Sequence, residues 1–97
     1  MPYGRCVVYS VTGDEQETVD KARASLLPIF KRQPGFIAYG VIGQGGKIFS
    51  MSAWHSENDA KAADETARQW VAENMDAQVV TSAVGDYAWL EFAERPA

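Results

Sequence analysis

The sequence predicts one α+β domain, ordered β-α-β and then β-α-β, on three observations. Strand-length runs of β-branched and aromatic residues recur four times in 97 residues. Two stretches between those runs carry apolar residues at helical spacing. Both stretches open on residues with N-cap chemistry, Asp14 and Ser56. At this length folding buries about 65% of the surface of the extended chain, enough for one core and no second domain. Residues 1–97 are therefore expected to form one domain, with its core between about Arg5 and Phe92.

The first strand is read from Arg5 to Val11, and Thr12-Gly13-Asp14 stops it. Asp14 caps a helix, with Glu17 three residues on at the capping-box position. Val19, Ala22, Leu26 and Phe30 then form one apolar stripe. Pro28 lacks a backbone donor and clashes with the preceding turn, so a kink or an early end is expected near Leu27. Pro34-Gly35 ends the helix. Phe36–Ile42 and Lys47–Trp54 read as a hairpin turning through Gly43–Gly46. Ser56 caps the second helix, with Asp59 in the capping-box place. Its Ala60, Ala63, Ala67 and Trp70 or Val71 spacing runs to about Glu73, and the small residues let it approach its sheet closely. Gln78–Val84 is the fourth strand. Gly85-Asp86 interrupts it, and Tyr87–Phe92 resumes as a bulged continuation or a separate strand. This order is the split β-α-β of a ferredoxin-like fold: a four-stranded antiparallel sheet with two helices on one face.

Composition narrows the function. With 46% hydrophobic and 23% charged residues the chain is ordinary globular sequence. A net charge of −4 argues against nucleic acid or an anionic membrane as partner. No apolar run exceeds four residues, too few for a membrane span or a signal-peptide core. A single cysteine makes a reducing, cytoplasmic setting the expectation. One histidine and one cysteine cannot close a zinc site within one chain.

Two helices cover only one face of a four-stranded sheet. With a four-residue turn at 43–46, Val41 pairs with Ile48 and Tyr39 with Ser50, sharing a face with Ile37, Ser52 and Trp54. The wholly apolar opposite set, Phe36, Ala38, Phe49, Met51 and Ala53, is the natural helix side. Ile37, Tyr39, Val41, Ile48 and Trp54 would then lie bare, and an apolar patch of that size marks a partner or ligand surface. A second copy is the expected cover. Tyr87, Trp89, Leu90 and Phe92 are apolar enough for segment 87–92 to cross to that partner, or else to finish the strand in its own sheet.

Leu27-Pro28 late in the first helix, Gln33-Pro34-Gly35-Phe36-Ile37-Ala38-Tyr39 leading into the second strand, and Trp54 closing the third carry a family resemblance. In these, and in the order of elements over Arg5–Phe92, the chain resembles the dimeric α/β-barrel superfamily, in its antibiotic-biosynthesis-monooxygenase-like branch. The resemblance implies a homodimeric α/β barrel with a pocket between each sheet and its helices or partner. It implies either a cofactor-free monooxygenase of small aromatic, quinol- or phenol-like substrates, or a non-catalytic small-molecule-binding or stress-response barrel. Polyketide-modifying members carry Asn four residues before the strand-end Trp, where this chain has Ser50. Haem-degrading members use a His on the second helix, and Ser56–Asn74 contains none.

The expected ligand-pocket residues are Tyr39, Ser50, Ser52 and Trp54. Trp54 is read as a stacking wall for an aromatic ligand or as a core or interface tryptophan. Tyr39, Ser50 and Ser52 are the polar groups that would orient a ligand in an apolar cleft. His55 alternates away from Trp54, towards the rim or the helix start. Cys6, beside Val7, reads as a small buried hydrophobe. Glu57, Asp59, Asp64 and Glu65 read as the solvated face of the second helix, and Gly43–Gly46 as a turn rather than a phosphate cradle.

Overall fold

Four strands of the computed structural model, β1 (Tyr3–Val11), β2 (Phe36–Gln44), β3 (Lys47–Trp54) and β4 (Ala77–Asp86), form one antiparallel sheet in the order β2-β3-β1-β4. The structure describes residues 2–91 and 93. The first helix is built from α1 (Glu15–Lys21), a π-helical turn (Ala22–Leu26) and α2 (Leu27–Arg32), and the second is α3 (Glu57–Asn74). This is the expected α+β, ferredoxin-like arrangement. Among the described residues no helix is long and apolar enough to cross a membrane.

Both helix starts follow from their caps. Asp14 accepts from the amides of Gln16 and Glu17, and Ser56 Oγ accepts from the Asp59 amide at 3.1 Å. Pro28 neither ends the helix nor breaks it. The strain is absorbed one turn earlier, where the Leu27 amide reaches back five residues to the Ala22 carbonyl. Such π turns are uncommon and often sit at functional sites. On α3 the small face is buried as expected, with Ala60 and Ala63 at 0% exposure.

The hairpin differs from expectation in length. Its turn is two residues, Gly45 and Gly46, at φ of 62° and 77°, the positive pair a type I′ turn requires. The register therefore slides by two: Val41 pairs with Ser50 and Tyr39 with Ser52. A slip of two preserves which face each side chain occupies. A bulge at Ile37 then moves Phe36 across, where its ring packs edge-on against Trp54 at 5.5 Å between centroids.

The choice of helix side is corrected. Ile48, Ser50, Ser52 and Trp54 on β3, with Arg5, Val7 and Tyr9 on β1, are all buried beneath the chain's own helices. The face left open carries Cys6, Val8, Ile42, Phe49 and Met51, with Ile42 54% exposed. Side-chain polarity alone favours the wholly apolar strand set, but the helices cover the mixed set, whose polar members find partners there. Cys6 accordingly lies exposed rather than buried.

β4 is also corrected. It runs unbroken through Gly85-Asp86, and its irregularity lies opposite Val8 and Tyr9, where the pairing skips Val80. Residues 87–91 form no strand. Tyr87 lies against Gly4, and its hydroxyl donates to the Ser52 carbonyl at 3.3 Å, so the segment after β4 starts back over its own sheet's open face. Trp89 is 77% exposed, and Phe92 lies outside the described residues.

Candidate functional site

Alternation along β1 aims Arg5, Val7 and Tyr9 at the helices, which places a guanidinium inside the core at 2% exposure. Burying an unpaired charge there would cost several kcal/mol. Asp64 on α3 answers it. Its Oδ1 accepts from Arg5 Nε at 2.7 Å, and its Oδ2 accepts from Arg68 Nε at 2.8 Å. A second Arg5 nitrogen donates to the Tyr9 hydroxyl at 3.2 Å. Asp64 thus belongs to a part-buried ion pair and not to a solvated acidic face.

Arg5 and Tyr9 meet Tyr39 and Ser50 around a cavity of about 20 Å³ between sheet and helices. That is room for about one water molecule. Ala22, Leu26, Ile48 and Trp70 supply the apolar wall. Burial pushes the Tyr39 phenol above its ordinary value, while the neighbouring Ser50 hydroxyl and the Arg5 charge pull the other way. Beside the cavity, at the β2 edge, an open groove of about 290 Å³ is lined by Val19, Arg23, Leu27, Tyr39, Gly40 and Val41. The π turn serves both spaces: Ala22 and Leu26 line the cavity, while Arg23 and the adjoining Leu27 line the groove.

Of the expected pocket residues, Tyr39 and Ser50 are brought together at the cavity. Ser52 and Trp54 sit beside it in the core: Trp54 is 0% exposed and donates from Nε1 to Ser52 Oγ at 2.9 Å. Its ring packs against Phe30 at 5.3 Å, and Phe30 against Tyr39 at 4.7 Å, so Trp54 backs Tyr39 through one intervening ring. His55 is exposed on the turn before α3. Sequence reasoning missed Arg5, Tyr9 and Asp64. The signal was present in alternation with Val7 and in the position of Asp64, four residues after Ala60 and three before Ala67, on the flank of the buried stripe. Among the described residues no group of three metal-ligating side chains gathers.

No protein-family model and no curated protein matches the sequence. Solved structures do match the fold. SnoaB from Streptomyces nogalater, a cofactor-independent oxygenase solved as a single-residue variant, superposes with a TM-score of 0.72 at 12% identity, over 92% of this chain and 95% of that one. A candidate antibiotic biosynthesis monooxygenase from Nitrosomonas europaea gives 0.67 at 22% identity, over 90% and 91%. This chain has the antibiotic-biosynthesis-monooxygenase-like fold. MupZ from Pseudomonas fluorescens shares it with a TM-score of 0.71 at 13% identity, over 86% of this chain, which spans 66% of that protein's length. Identities this low establish architecture, and the chemistry must be argued from the site.

Proposed function

We propose that the protein is a homodimeric, cofactor-independent monooxygenase of the antibiotic-biosynthesis type, acting on a small aromatic quinol- or phenol-like substrate. The observation that carries this reading is the convergence of Arg5, Tyr9, Tyr39 and Ser50 on one cavity in an apolar wall. Such chemistry needs orientation and charge stabilisation from the protein, because the electrons come from the substrate. For an anthrone-type substrate, a ring-flanked CH₂ becomes C=O, one oxygen atom of O₂ is retained, and the other leaves as water with the two hydrogens. Tyr39 and Ser50 position the substrate oxygens, and Ser52 and Trp54 brace Tyr39 from the core. The likeness in fold to SnoaB supports the reading.

A second copy covers the open sheet face in this proposal, since Ile42 and Met51 are exposed there at 54% and 39%. An oxygen electrode tests the activity, using a panel of quinols and anthrones with chelator present and no flavin added. The expected result is uptake of one O₂ per substrate. Ser50, standing where polyketide-modifying relatives carry Asn, favours a second reading, a binding barrel without turnover. No uptake, with ligands that still raise the melting temperature, would select it.

A further inference from the structure

Asp64 is shared between two guanidiniums, one carboxylate against two cations. Arg68 is 71% exposed at its side chain, so water screens its charge, whereas the Arg5 side chain is 1% exposed. Asp64 meets the buried cation at Nε, while a terminal nitrogen of the same guanidinium turns to Tyr9 and the side chain lines the cavity. Tyr9 accepts from Arg5, which leaves the Tyr9 O–H proton to be donated. A cation, a phenolic donor and the Ser50 hydroxyl around a space for about one water describe a seat for one anionic oxygen. The space holds no ring. The groove does, and the two spaces share Tyr39 and Val41.

Building on the proposed function, we infer that Arg5 selects the ionised form of the ligand: the cavity seats a phenolate or enolate oxygen against Arg5 and Tyr9, and the groove seats the aromatic body. The ligand's O–H bond breaks, its proton passes to solvent before or on binding, and no other covalent bond changes.

The test uses 4-nitrophenol, whose absorbance separates phenol from phenolate, titrated with pH in the presence of the intact protein. The inference expects phenolate to bind at least about tenfold more tightly than phenol, a downward shift of one unit or more in the bound probe's pKa. Arg5→Met should abolish the preference and Arg5→Lys retain part of it. Lys31→Gln, which removes an exposed cation of α2 that lines neither space, should leave it intact. Equal binding of both forms by the wild-type protein overturns the inference, whatever the variants do, and so does a preference that disappears with Lys31→Gln. If the wild type consumes oxygen with quinols yet shows no phenolate preference, the inference fails and the proposed function stands. If it binds neither form and consumes no oxygen, both fail.

Discussion

A guanidinium at 2% exposure is tolerable only while a counterion holds it, and for Arg5 that counterion is Asp64. Asp64→Ala should lower stability by about 3–5 kcal/mol, because it leaves a buried charge unpaired. Arg68→Ala removes an exposed partner of the same carboxylate and should cost about 1 kcal/mol or less. Urea unfolding of the two variants checks the contrast. Tyr39 gives a pH signature. Burial raises its phenol above the ordinary value of 10.0, so the unfolded chain loses that proton first. The contribution is complete below the ordinary phenol value and is lost as pH rises through the folded one. Tyr39→Phe should flatten the alkaline loss, and urea midpoints measured between about pH 9 and 11 would show it. Arg5 itself was legible only as the start of a strand. One charged residue in an apolar alternation reads as an edge until a partner on another element is known, and Asp64 lies 59 residues away.

At the scale of elements, the caps and the stripes were legible because their chemistry is local. Asp14 and Ser56 bond amides within three residues, and the Ala60-Ala63-Ala67 face needs no knowledge of what it packs against. The π turn before Pro28, the bulge at Ile37 and the Val80 irregularity were not legible, since each settles a competition with a neighbouring strand or helix. The glycines offer a test. Gly45 has positive φ with open space around it, so Gly45→Ala should cost about 1–2 kcal/mol through the backbone alone. Gly35 has φ of 80°, and a Cβ there would lie 2.6 Å from Asp59 Cγ. Gly35→Ala should therefore cost distinctly more than Gly45→Ala, and thermal melts of both would rank them.

For the whole molecule, one sheet face is sheltered by the chain's own helices, and the other is left to Ile42, Met51 and the segment after β4. Counting helices against strands anticipated a bare apolar face. It did not identify which face, because buried Ser50 and Ser52 looked out of place beneath helices until the Trp54 and Arg5 networks were seen. If a second copy covers the open face, light scattering at micromolar concentration should report twice the 10.7 kDa chain mass, and Met51→Lys should halve it without unfolding the protein. Backbone amide NMR during titration with a quinol or phenol locates the site. If the ligand enters between sheet and helices, Arg5, Tyr39, Ser50 and the π turn at Ala22–Leu26 respond first; shifts confined to Cys6, Ile42 and Met51 on the open face would refute that placement.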